Sequence, residues 1–190
     1  MTVAIFPGHT TEVPVVERPT VNQGDVFEYA DRFETIDCKR WVVEGRGAGG
    51  VLTTRCKGNV AYFADDGALL RIVGDDGHER VKFTPKASAI PFPLTVGARW
   101  TAKFKVSTDA DLAEPAITES CVAVAYEKIN IAAGEMLAIR VNCTDNWHVA
   151  FLSGTSTSTL WYAPDAKAIV KAVSSGDAKW NLELAAYTFK

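Results

Sequence analysis

The stretch Trp100-Thr101-Ala102-Lys103-Phe104-Lys105-Val106 decides the fold class. In an extended chain Trp100, Ala102, Phe104 and Val106 fall on one side, and Thr101, Lys103 and Lys105 on the other. That period of two marks an antiparallel strand with one face on a core and one in water. Working outward, Leu137, Ile139, Val141 and Cys143 form a second apolar row, interleaved with Ala138, Arg140 and Asn142. Trp180, Leu182, Leu184 and Ala186 form a third, against Asn181 and Glu183. Between such rows lie Asp65-Asp66-Gly67, Asp75-Asp76-Gly77 and Ser174-Ser175-Gly176-Asp177. Glycine after an acidic or hydroxyl residue supplies the positive φ of a tight hairpin turn. The spacing predicts about ten to twelve short strands joined by hairpins. The expected class is all-β: a strongly curved antiparallel sheet, as a partly open barrel or a sandwich. Helix is scarce, because Pro115 limits residues 109–118 to a turn and Gly134 interrupts the amphipathic window 131–142.

Residues 1–20 hold Pro7, Pro14 and Pro19 and read as an extended N-terminal arm, leaving residues 21–190 as a single β domain. Pro85, Pro91 and Pro93 mark a surface crossing between two groups of strands. With 47% apolar and 23% charged residues the composition is globular. The net charge of −3 offers no basic field, which argues against nucleic acid and against an anionic membrane surface as partners. No stretch has the run of about 18 apolar residues that marks a transmembrane helix. The start, Met1 to Pro7, lacks the basic and apolar regions of a signal peptide, which leaves a cytosolic protein or a mature exported domain.

The cysteines choose between those two. Cys38 and Cys56 lie roughly symmetrically about Gly47-Ala48-Gly49-Gly50, and Cys121 and Cys143 about Ala132-Ala133-Gly134. Hairpins folded at those turns would bring each pair opposite or one step off register, within disulfide reach. The expected bonds are therefore Cys38–Cys56 and Cys121–Cys143, and two disulfides imply a periplasmic or secreted domain. No C-x-x-C and no histidine at zinc-finger spacing is present, so no structural metal is expected.

Three segments carry a resemblance. Pro91-Phe92-Pro93-Leu94-Thr95-Val96-Gly97-Ala98-Arg99-Trp100 resembles an "fPL.vGk.W" motif, and residues 131–141, Ile131 to Val141, a "vpaGtf.a..v" motif. Trp161-Tyr162-Ala163-Pro164-Asp165, followed by Val170-Lys171, is similar to "wYaPg.g.vk.e". In this order they resemble uncharacterised bacterial envelope domain families, the TapB-like families and related domains of unknown function. The resemblance implies an exported domain with a strongly curved antiparallel sheet, and it brings no catalytic residues. Ala133 stands where those families place proline, and Asp165-Ala166-Lys167 replaces their Gly-x-Gly.

Candidate chemistry is thin. Asp145 and His148 are spaced for an Asp–His pair able to act as a general base, but no nucleophile can be assigned to it, and a histidine at a strand end explains the same residues. His78 beside Asp75 and Asp76 could join a cation site, although hairpin turn chemistry suffices, and His9 lies in the arm. Ser153 to Thr159 has no Gly-x-Ser-x-Gly elbow and reads as a loop running into an exposed strand. Asn142-Cys143-Thr144 is a formal glycosylation sequon. No catalytic constellation and no cofactor motif emerges, so the chain reads as non-catalytic. The aromatic residues offer the one functional lead. If a concave sheet face is left partly unfilled, Trp100, Phe104, Trp161 and Trp180 would line a site for an apolar, lipid-like small molecule. The alternative is a structural or protein-interaction component of the envelope, working through an exposed edge or loop tips.

Overall fold

The computed structural model describes residues 13–30, 38–109, 113–176 and 181–190. Twelve strands follow one another: β1 (Val26–Tyr29), β2 (Arg40–Arg46), β3 (Leu52–Cys56), β4 (Asn59–Phe63), β5 (Leu69–Val73), β6 (Glu79–Thr84), β7 (Arg99–Thr108), β8 (Ala116–Ile131), β9 (Gly134–Val149), β10 (Leu152–Ala163), β11 (Ala168–Ser175) and β12 (Asn181–Thr188). Each pairs antiparallel with its neighbours in sequence, and β1 pairs with β12, closing a barrel. The expected all-β fold is thus a closed up-and-down barrel, in which no strand is left as a free edge. The one helical element among the described residues is a 3₁₀ turn, Ala48–Gly50.

Closure puts the turns at two rims. The arm, the crossing 85–98 and the turns after β2, β4, β8 and β10 share one, here the arm rim. The turns after β3, β5, β7, β9 and β11 share the other, the tip rim. The turns 64–68 and 74–78 are built alike: Asp66 and Asp76 accept from the backbone N–H of Ala68 and His78, and Gly67 and Gly77 take φ of 85° and 78°. His78 therefore belongs to a hairpin turn, as its neighbours require.

The register carries one apolar set round the interior. Val43 faces Thr54, then Ala61, Ile72 and Val81 follow on successive strands. Phe104 and Trp100 continue it on β7, Trp100 opposite Cys121, and Val141, Leu160, Ala172 and Leu182 complete it. Along β7 the alternation is as the sequence requires: Phe104 is buried while Thr101, Lys103 and Lys105 are exposed. Two bulges bend the other rows. An extra residue at Val124 shifts β8 by one place against β9, which brings Cys121 opposite Cys143 rather than Thr144. A second register shift pairs Tyr29 with Leu184 but Glu28 with Ala186, so Leu184 is buried and Ala186 turns to solvent, out of the expected row.

At the arm rim the alternation fails for a different reason. Ala138 and Ile139 are both 0% exposed, and so is Ala163 beside Tyr162 at 3%, because the β8–β9 turn packs back onto β12. Ala133 N–H donates to Leu184 O at 3.1 Å and Ala132 N–H to Glu183 Oε1 at 2.9 Å. Leu137, expected inside, is exposed instead. The arm is tied down where Val16 bridges Leu94. Asp25, fully buried, accepts from Asn22 N–H at 2.8 Å and from Lys190 N–H at 3.0 Å, fastening the C-terminal residue to the entry of β1.

The three segments that carry the family resemblance meet at this rim. Leu94, Ile139 and Tyr162 share one buried cluster, and the Phe92 ring stands edge-on to Tyr162 at 5.5 Å. Their common function in the sequence is packing. Both disulfides are formed, Cys38–Cys56 and Cys121–Cys143. The second joins direct cross-strand partners, Cα atoms 4.1 Å apart, whereas Cys38 lies just before β2 and is drawn onto the end of β3.

Candidate functional site

Four aromatic residues are the starting point. Trp100 is half-buried, and its Nε1–H donates to Ser88 Oγ at 3.3 Å. Phe104 is buried against Phe83, ring centroids 5.8 Å apart. Trp161 pairs with Arg140, three places along β10 from Ser158, so it stands on the opposite sheet face from the row of Trp100, Cys121, Cys143 and Ser158. Its Nε1–H donates to Glu127 Oε1 at 2.9 Å, beside Arg140. Trp180 lies outside the described residues. Trp161 thus does not share a site with Trp100 and Phe104, because an odd number of residues separates it from the inward row.

Part of the interior is packed with the barrel's own side chains. Three buried clusters run through it, with Leu94, Ile139, Val141, Val170 and Leu184 each 0% exposed. A groove of about 510 Å³ lies between the crossing and β7; Arg18, Asp66, Lys86, Ser88, Phe92 and Lys103 are among its lining residues. It is open and mixed in character, with Lys86 paired to Asp66 and Arg18 donating to Asp65 O at 2.6 Å.

The interior changes character towards the tip rim. Glu119 of β8 and Asp145 of β9 are direct cross-strand partners, one pair beyond the Cys121–Cys143 bond. Asp145 in turn faces Ser156 of β10, itself buried. Burial pushes Glu119 up to about 7; a hydrogen bond with Ser88 pulls the other way, and Asp145 adds to the rise. Burial raises Asp145 as well. Glu119, Cys121 and Cys143 bring three metal-ligating atoms within 4.8 Å of one another, but both sulfurs are spent in the disulfide, leaving one carboxylate. His148 does not join Asp145. Three residues apart on one strand, they point to opposite faces, and His148 is exposed opposite Ala116 and Ser153. The Asp–His reading falls on that geometry, and His9 lies outside the described residues.

Two surface features had no strong signal in the sequence. Outside β7–β11, Thr101, Ser120, Thr144, Thr157 and Ser175 form one cross-strand ladder, with hydroxyl contacts of 3.3 Å at Thr101–Ser120 and 2.7 Å at Thr157–Ser175. The hydroxyl-rich segment 153–159 is therefore the body of β10 and not a loop. At the tip rim the β9–β10 hairpin turns through Ala150 and Phe151, with Val149 opposite Leu152. Phe151 is fully exposed and Leu152 is 66% exposed. Ala150 takes φ of 49°, a left-handed conformation that glycine or asparagine adopts at less cost.

No family model and no curated protein matches the chain. Solved structures do. The chain is similar to the hypothetical lipoprotein YmcC of Escherichia coli K12, with a TM-score of 0.56 and 12% identity over 85% of this chain and 83% of that one. It is also similar to a candidate lipoprotein of Parabacteroides distasonis, with a TM-score of 0.52 and 10% identity over 92% and 100%. A candidate exported protein of Bacteroides fragilis with a YmcC-like fold gives 0.51 and 13% over 91% and 99%. At these identities the likeness is one of fold. Those neighbours are exported or lipoprotein-type chains without an assigned activity, and the two disulfides here fit an oxidising compartment.

Proposed function

We propose that this domain is a non-catalytic module of the bacterial cell envelope, periplasmic or secreted, that works by seating the apolar tip of its β9–β10 hairpin in a pocket of another envelope protein. The observation that carries this reading is Phe151, fully exposed beside Leu152 on a turn whose backbone would cost less with glycine. A buried aromatic anchor contributes much of the affinity in many protein interfaces, and a phenyl group held out by a rigid hairpin is well placed to become one. The exported neighbours and the resemblance to TapB-like families support the placement in the envelope. A lipid-like ligand on the concave face has less support, since Trp161 stands on the face opposite the row of Trp100 and Ser158.

A photo-crosslinking amino acid at position 151, in cells that export the protein, tests the reading. The expected result is a covalent adduct with one envelope protein, absent when the same group replaces Lys128, exposed near the opposite rim. Lack of an adduct at 151, adducts with lipid alone, or equal adducts from both positions would overturn it.

A further inference from the structure

We propose that Glu119 and Asp145 hold a single proton between them in the folded barrel, forming a pH-sensitive latch across β8 and β9 that is closed at acid pH and loosened as the proton leaves. The pair sits on the strands that lead to the Phe151 tip, and the inference stands independently of what the tip binds.

Geometry forces the two carboxyls together, since cross-strand partners on one face have side chains in contact range. Among the described residues, Ser88 and the two carboxyls themselves are the groups that act on the pair, and no cation is among them. From β7 the same face presents Trp100, Ala102 and Phe104; from β10, Ser156 and Ser158; from the crossing, Ser88. On β8 and β9 themselves the neighbours on that face are Ile117, Trp147 and the Cys121–Cys143 disulfide. Across the interior β2–β6 offer Val43, Thr54, Ala61, Ile72 and Val81. Lys103, Lys105 and His148 alternate to the outer face. Two adjacent carboxylates without a cation cannot both ionise cheaply, and the usual resolution is one shared proton.

One contact and one unpartnered oxygen agree with a protonated pair. Glu119 Oε1 lies 3.2 Å from Cys121 Sγ, and a disulfide sulfur carries no hydrogen, so any hydrogen in that contact is the carboxyl's. Asp145 Oδ1 is buried and accepts no hydrogen bond among the described residues. The direction of the effect follows. Glu119 is raised in the folded state, to about 7, so between the ordinary carboxyl range and that value the folded chain binds more protons than the unfolded one. The stability contributed by the pair is complete at acid pH and is lost as pH rises through about 7.

Urea unfolding at pH 5 and pH 8.5 of the wild type and of Glu119→Gln tests this. The wild-type unfolding constant should rise across that interval, relative to the variant, on the order of 100-fold. Infrared spectra of the wild type near pH 6 should show a protonated carboxyl stretch that Glu119→Gln removes. Equal pH dependence in both proteins, or a wild type without the infrared band, would overturn the shared proton. So would stabilisation of the wild type by millimolar calcium that the variant lacks, since a cation would then bridge the pair. If Glu119→Gln fails to fold, the wild-type infrared band alone decides.

Discussion

The two halves of the barrel wall are built differently. Strands β1–β6 have four to seven residues each, whereas β7 has ten, β8 and β9 sixteen, and β10 twelve. The short wall is laced outside by ion pairs across its strands, Arg40–Glu28, Arg55–Glu44 and Arg71–Glu79, and is apolar within at Val43, Ala61 and Ile72. Outside, the long wall carries the hydroxyl ladder; within, it turns from Val141 and Ile139 to Glu119, Asp145, Ser156 and Ser158 towards the tip rim. Burial of apolar area drives folding, so the short wall and the arm rim hold the barrel together. The distal long wall interrupts its apolar interior with Glu119, Asp145, Ser156 and Ser158 before Phe104, Ile117 and Trp147 resume it. That difference points to the tip rim as the region shaped by something other than stability.

Substitutions can break or sharpen the contrast. Leu184→Ala, in the fully buried arm-rim cluster, should cost about 2–5 kcal/mol by urea titration, whereas Ser156→Ala near the tip rim should cost far less. Equal losses would erase the distinction between rims. Replacing Cys121 and Cys143 by serine opens a crosslink with a sequence separation of 22 and should lower stability by about 3 kcal/mol. The matching change at Cys38 and Cys56, with a separation of 18, should cost nearly as much, because loop length enters only logarithmically. Asp25→Ala should cost about 1–3 kcal/mol, since it removes the buried acceptor that holds the Asn22 and Lys190 N–H groups. Arg55→Ala should leave the urea midpoint unmoved, its pair with Glu44 being solvated. Phe151→Ser should also leave it unmoved while abolishing partner capture.

How far the sequence could be read follows the same division. The β7 alternation, the paired Asp-Asp-Gly turns and the symmetric cysteines are local signals, and the barrel uses each of them. Strand length was not legible in the distal long wall. Where both the inner residues, Asp145, Ser156 and Ser158, and the outer ones, Thr144, Thr155 and Thr157, are polar, the period of two disappears. The Glu119–Asp145 pair joins residues far apart in the chain through a register that the extra residue Val124 sets, and a single bulge has no firm sequence mark. Composition groups Trp161 with Trp100 because it counts aromatics without assigning them a face. Phe151 could have been noticed as an apolar residue next to a turn, but its exposure follows only from hairpin closure.

The most direct test of a barrel that acts through its surface and holds no apolar ligand is native mass spectrometry of protein isolated from the envelope in its oxidised form. The account predicts the mass of the bare polypeptide after mild release of any protein partner, with Phe151→Ser giving the same mass. A lipid-sized molecule retained by the folded chain, and lost only on unfolding, would contradict it.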